Sequence, residues 1–223
     1  MEHAAKKYQA FNSKDEGYKR FLRALFDHKI TLGSTVTQTD LCNILDMSVT
    51  PLRECLVLLE EYGLVEVRPR SGVRVVYPDA SFFRENMQFR SIIETNALPS
   101  FVEKADINFL ESLRRSHENC LNRISTTEDS ESIALEFSVL DRTLHTEIVK
   151  ALHNRSISAA HLRLQDNLHL SKLVHVQLTY RDNTFDTIEE HLLLIDAAIK
   201  RDMKATNAAL KSHLRASTHR TFA

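Results

Sequence analysis

The chain contains no tryptophan, and only four glycines, four prolines and three cysteines among its 223 residues. So few breakers over that length point to long helices joined by short turns. Cys42, Cys55 and Cys120 are scattered, odd in number and form no CxxC pair. That pattern excludes a disulfide framework and fits a reducing compartment, with Cys42 and Cys55 as small buried hydrophobes. No apolar run approaches the roughly 18 residues of a membrane span. The opening MEHAAKKYQAFNSKDEGYKR lacks the apolar core of a secretion signal, so the expected location is cytoplasmic, with no membrane partner. Excess charge is missing too: the net charge is −1, and residues 1–77 hold 11 basic against 10 acidic side chains. A chain so nearly neutral is not a generally sticky polyanion binder, and any nucleic-acid contact must come from local placement.

What is present is ordinary for a globular protein, 43% hydrophobic and 26% charged, and long enough for one large domain or two small ones. The stretch SVTPLRECLVLLEEYGLVEVRPRSGVRVV, residues 48–76, is the most structured signal. Pro51 is tolerated in a first helical turn, where amides have no intrahelical partner, and Ser48 or Thr50 can cap those amides. Leu52, Leu56, Val57 and Leu59 recur at helical spacing and mark a core face, with Arg53, Glu54, Glu60 and Glu61 opposite. Gly63 suits the left-handed residue that ends a helix. LVEVRP and GVRVVY then alternate as a hairpin with Ser71-Gly72 at its tip. Upstream, Tyr18, Phe21, Leu22, Leu25 and Phe26 form one helical stripe. After a loop around Gly33, Leu41, Ile44 and Leu45 form another. Three helices and a basic hairpin, over residues 12–77, make a winged helix-turn-helix.

YPDASFF, residues 77–83, is the joint, with Pro78 disfavouring helix before it. From there, six helices are expected at 81–104, 106–124, 130–152, 155–179, 184–200 and 203–219, the first bent or broken by Pro99. Strand signals are absent, so residues 81–220 should form an all-α bundle. The fold class is mainly α, a winged helix-turn-helix followed by a helical bundle.

Nine of the eleven histidines follow residue 110. His153, His161, His169 and His175 read as exposed or hydrogen-bonded helix residues. Asp141 and His145 differ, because their i, i+4 spacing among Phe137, Leu140, Leu144 and Ile148 puts both on one inward face. His191 lies against Leu192, Ile195 and Ile199, and His213 beside Leu210 and Leu214. An unsatisfied polar group in a bundle core costs roughly 1–3 kcal/mol, so four of them need a shared reason. A divalent metal held by one carboxylate and three imidazoles supplies one.

The residues also carry a resemblance. LCNILDMSVTPLRECLVLLEEYGLVEVRPRSGVRV resembles the winged helix-turn-helix of GntR-family transcription regulators through its S-x-T-P-L-R-E entry, its L-x-x-L-E-x-x-G-L-V exit and its glycine-tipped wing. The second region resembles the FCD domain of the FadR-type branch, closer to the six-helix VanR-like variant. There D-x-x-x-H, E-H-x-x-x-x-x-A-I and a last-helix H-L supply a metal site, which implies Asp141, His145, His191 and His213 as ligands. FRSIIETNAL resembles the opening helix of that domain, with Arg90 and Glu94 at its usual Arg and Glu. The chain departs from the family at Thr39 and Val49, where arginines that reach DNA are common.

The resemblance implies a cytoplasmic homodimer reading a pseudo-palindromic DNA operator. Ser48, Thr50 and Arg53 would enter the major groove, with Arg53 bidentate to guanine. Arg70, Gly72 and Arg74 would approach the minor groove or flanking backbone. Zn²⁺, Ni²⁺ or Mn²⁺ would leave positions for a small organic acid whose far end Arg90 holds. The expected function is a repressor released by that acid. Two other readings compete. One is a metal-dependent hydrolase or lyase with a DNA-targeting head, against which no separate general base stands out. The other is a purely structural metal that staples the bundle.

Overall fold

The computed structural model describes residues 16–126, 130–174 and 180–222. Positions 12–15 of the expected first domain, His175 and the expected helical residues 175–179 lie outside them. The chain divides into two compact units after Asp79.

The first unit holds α1 (Glu16–Phe26), β1 (Thr35–Val36), α2 (Gln38–Leu45), α3 (Val49–Glu61), β2 (Val65–Arg68) and β3 (Gly72–Val75). Its core is built from the expected stripes: Tyr18, Phe21, Leu22, Leu25 and Phe26 of α1 meet Leu41, Leu45, Leu52, Cys55, Leu56 and Leu59. Three helix ends have a local cause. Thr37 caps α2 by accepting from the Asp40 amide while donating to the Asp40 carboxylate, a reciprocal arrangement like a capping box. Asp46 turns left-handed at φ 50° to stop that helix, and Arg20 donates to the Leu45 and Asp46 carbonyls to close the turn. Gly63, at φ 71°, ends α3 as expected.

Three features correct the sequence reading. Val57, assigned to the core face of α3, is 69% exposed. The hairpin tip is Pro69–Ser71 and not Ser71-Gly72, because Arg68 pairs directly with Gly72 and Arg70 takes the left-handed turn at φ 65°. The region expected only as a loop around Gly33 also contributes a strand: β1 pairs antiparallel with β3 to give the order β1-β3-β2. That third strand explains Gly72. At φ +101°, a Cβ there would lie 2.8 Å from the Val36 carbonyl oxygen. The glycine is therefore required inside the sheet, whatever approaches it from outside.

The second unit is helical throughout its described residues: α4 (Ala80–Lys104), α5 (Ile107–Thr126), α6 (Ser130–Lys150), α7 (Arg155–Val174), α8 (Tyr180–Ile199) and α9 (Met203–Phe222). Pro99 lies inside α4 without ending it. Asp106, Asn154 and Asp202 cap α5, α7 and α9 by accepting backbone amides. Phe83, Leu98, Phe101, Leu110, Leu144, Ile148, Leu194 and Leu210 form the main core. A smaller cluster of Cys120, Ile124, Ile133, Phe137 and Ile188 packs beside the histidines. No described helix is long and apolar enough to cross a membrane.

Candidate functional site

In the helical unit the four expected ligands converge. One side-chain atom from each of Asp141, His145, His191 and His213 lies within 4.8 Å of the others. Asp141 and His145 are a turn apart on α6, His191 comes from α8 and His213 from α9. The three imidazoles are at most 1% exposed, with ring centroids 4.6–5.3 Å apart. Phe137 stacks on His191 at 5.9 Å.

The decisive detail is which ring nitrogens are used. His145 Nδ1 lies 2.7 Å from a Glu94 oxygen, and His213 Nδ1 lies 2.9 Å from a Glu190 oxygen. Facing carboxylates, both nitrogens carry the proton. His191 Nδ1 faces His117 Nε2 at 3.2 Å, and His117 Nδ1 faces the Leu113 carbonyl at 2.7 Å. That carbonyl can only accept, so His117 Nδ1 holds the proton, His117 Nε2 accepts, and His191 donates through Nδ1. All three ligand imidazoles are thereby left with a bare Nε2. Those three Nε2 atoms are buried and have no hydrogen-bond partner among the described residues. His145 Nε2 and His191 Nε2 lie 3.8 and 3.6 Å from Asp141 Oδ1.

The protonation states agree. Burial, then Arg90, depresses His145. Burial and then His213 hold His191 well below its ordinary value, and burial pushes His213 down to about 4. Neutral imidazoles are what a metal needs. Burial favours the protonated form of Glu190, but Arg220 and His213 outweigh it and hold the carboxyl at about 2. Arg220 grips Glu190 through both terminal nitrogens, at 2.7 and 2.8 Å. Glu94 is likewise held well below the usual range against burial, chiefly by Arg90 and His145. It accepts from Arg90 Nε at 2.8 Å, His145 Nδ1 and His161 Nε2. Such outer partners fix tautomer and ring orientation in metal sites. The donor set and the bare nitrogens fit a divalent ion, and a cluster this tight needs little adjustment to reach the roughly 2.0–2.2 Å bonds of zinc.

Arg90 is buried and bonds through Nε alone. Its terminal nitrogens make no hydrogen bond among the described residues. Of the bland histidines, His153 is exposed in the α6–α7 turn and His161 is the buried partner of Glu94. His117 and Glu190 went unmarked in the sequence. His117 stands alone in the polar run RRSHENC, and Glu190 is present only as the glutamate of the E-H-x-x-x-x-x-A-I motif, with no role assigned to it.

In the first unit, Ser48, Thr50 and Arg53 are exposed together at the start of α3. Ser48 stands at the cap position but its hydroxyl makes no cap bond, so the expected cap is not formed. Arg53 reaches Gln38 on α2 at a long 3.4 Å. On the wing, Arg68 and Arg74 both pair with Glu66, at 2.6 and 3.4 Å. Glu66 is correspondingly lowered, first by its bond to Arg68. Arg70, at the tip, has no ionic partner among the described residues. Thr39 and Val49 are exposed, as DNA-reaching positions would be.

A winged helix-turn-helix joined to a histidine-lined helical bundle defines a class, that of DNA-binding regulators with a second, helical domain. Comparison with known proteins gives the family. The model for bacterial regulatory proteins of the gntR family matches residues 15–75, and that for the FCD domain matches residues 85–216. The chain belongs to the GntR family of transcription regulators, in the branch that carries an FCD domain. Its family is one of transcription regulators and not of enzymes.

Among its relatives is the uncharacterized HTH-type transcriptional regulator YdhC of Bacillus subtilis (strain 168), 24% identical, with 88% of this chain and 85% of that protein covered. The Uxu operon transcriptional regulator of Escherichia coli (strain K12) is 25% identical over 79% of this chain and 74% of its own length. The fold matches E. coli McbR/YncC at a TM-score of 0.71 and 16% identity, covering 97% of each chain. It also matches the Zn²⁺-bound FCD domain of TM0439 at 0.51 and 21%, covering 65% of this chain and 94% of that one.

Proposed function

We propose that this regulator is a homodimeric repressor whose hold on a pseudo-palindromic operator is released by a small carboxylate bound at a divalent metal centre. The observation that carries the reading is the set of three buried imidazole Nε2 atoms, all bare and all beside Asp141. At roughly 1–3 kcal/mol for each unsatisfied buried group, a purely packing role for them is expensive. Asp141, His145, His191 and His213 would hold the ion. When bound, the ion supplies a Lewis-acidic seat for a carboxylate oxygen. Glu94, His117 and Glu190 fix the ligand rings, and Arg90 offers its unpaired terminal nitrogens to the acid. Ligand binding that favours one arrangement of the FCD helices would shift DNA affinity by the difference in ligand affinity between the two states.

The DNA-facing group would be Ser48, Thr50 and Arg53, with Arg70 and Arg74 on the wing. Their exposure and the uncommitted Ser48 hydroxyl support this. Arg53 would read guanine, Ser48 and the helix start would take phosphate, and Arg70 would approach the minor groove or backbone. Gly72 keeps the wing's shape.

Fluorescence anisotropy on DNA from upstream of the gene tests this, across a salt series and with Arg53→Ala alongside. Tight, sequence-dependent binding is expected, lost in the variant and weakened by an organic acid only in metal-loaded protein. A screen in which no carboxylate alters DNA affinity of the metal-loaded protein would overturn the effector reading.

A further inference from the structure

Arg142 follows Asp141 on α6 but points elsewhere, since successive residues turn by about 100° around a helix. It reaches α7, where Nη1 meets Asp166 Oδ1 at 2.8 Å. The side chains are 12% and 3% exposed. Asp166 therefore takes one end of the guanidinium, while Nε and Nη2, the pair that forms its side-on edge, are buried without a hydrogen-bond partner among the described residues. A charged, planar, two-donor edge sealed from solvent is costly to leave unmade and geometrically matched to the two oxygens of a carboxylate. Two buried acceptors on α7, Gln165 Oε1 and Asn167 Oδ1, also lack a hydrogen-bond partner among the described residues, and neither bonds Arg142. Gln165 turns its amide nitrogen to Thr146 and His161, and Glu94 is committed to Arg90, His145 and His161.

We propose that this edge of Arg142 is a second anion seat, so that the effector carries two carboxylates, one at the metal centre and one on Arg142. The inference rests on the reading of the metal centre as the effector site. Both seats start from one turn of α6, at Asp141 and Arg142, and the effector would be a diacid short enough to bridge them. Arg90 lies on the α4 face that also carries Asn86 and Glu94. Asn86 accepts from Asn167 of α7 at 3.3 Å and Glu94 accepts from His145 of α6, so this α4 face makes polar contacts with both helices. A monoacid would fill only the first seat.

Calorimetric titration of the full-length, Zn²⁺-loaded protein with acetate, malonate, succinate and glutarate tests this, with zinc content checked afterwards. At least one diacid should bind ten times more tightly than acetate, or better, as a charge-assisted bidentate contact allows. Arg142→Lys keeps a cation for Asp166 but removes the planar edge. It should lower that diacid to the affinity of acetate while leaving acetate and zinc binding unchanged. Acetate binding as well as every diacid, or a lysine variant retaining the full diacid preference, would overturn the second seat and leave the metal-centre reading intact. Failure of every carboxylate, acetate included, would overturn the effector reading itself and this inference with it.

Discussion

Acid should destabilise the metal-free protein through its buried histidines, beginning well above the range where carboxylates protonate. His213 is the clearest case. Its ordinary value is 6.5, and burial brings it down to about 4 in the folded chain, despite the Glu190 carboxylate on its Nδ1 and Asp141 nearby, with Arg90 and His145 opposing protonation. Between those two values the unfolded chain binds a proton that the folded chain refuses, so stability rises with pH across the interval and falls as pH is lowered through it. At about 1.36 kcal/mol per pH unit, that single group removes about 3 kcal/mol between pH 6.5 and pH 4. His145 and His191 are lowered for the same primary reason, burial, and add to the loss. Glu190 behaves differently. Held at about 2, it contributes stability above its unfolded value of 4.5 and loses it only below that, so the window from 6.5 to 4.5 belongs to the imidazoles. Urea titrations at pH 7.0, 6.0, 5.0 and 4.5 in EDTA would show the midpoint falling steadily, with unchanged slope. A midpoint flat from pH 7 to 5 would mean that the imidazoles are not buried and neutral, and would undercut the metal centre.

Four further outcomes are expected. Gly72→Ala should cost about 2 kcal/mol by chemical denaturation, since a left-handed alanine alone costs roughly 1–2 kcal/mol and its Cβ would press on the Val36 carbonyl. A loss under 0.5 kcal/mol would refute that contact. Val57→Ser should change stability by less than about 0.5 kcal/mol, while Leu56→Ala costs about 2–5 kcal/mol, which denaturant midpoints will separate. His117→Phe should lower Zn²⁺ affinity about 10- to 100-fold in competition with a chelating dye, because His191 loses the acceptor that orients it. Arg70→Ala should weaken binding to operator and unrelated DNA alike and flatten the salt dependence by about one unit of slope, in contrast to the sequence-selective loss expected for Arg53→Ala.

The helices were legible because their punctuation is local. Asp106, Asn154 and Asp202 stand where the breaks between helical patterns were read, and each caps the helix that follows. The convergence of Asp141, His145, His191 and His213 was legible because an i, i+4 Asp–His pair on an apolar face is unusual for residues that prefer water. Features that depend on tertiary pairing were not. Two residues of strand at Thr35–Val36 carry no alternation to read and exist only because β3 lies beside them. Val57 fits helical periodicity, yet no neighbour among the described residues of its unit covers it. The shell around these four side chains is harder still. His117 reaches His191 across 74 positions of sequence and Glu94 reaches His145 across 51. The open edge of Arg142 is visible only once Asp166 is seen to take the other end.

The most direct test of the central claim is the metal stoichiometry of chelator-stripped protein titrated with Zn²⁺, with His191→Ala run in parallel. One tightly held ion per chain, with affinity reduced at least 100-fold in the variant, is the result the four converging side chains predict. No stoichiometric ion, or an ion held equally well without His191, would contradict it.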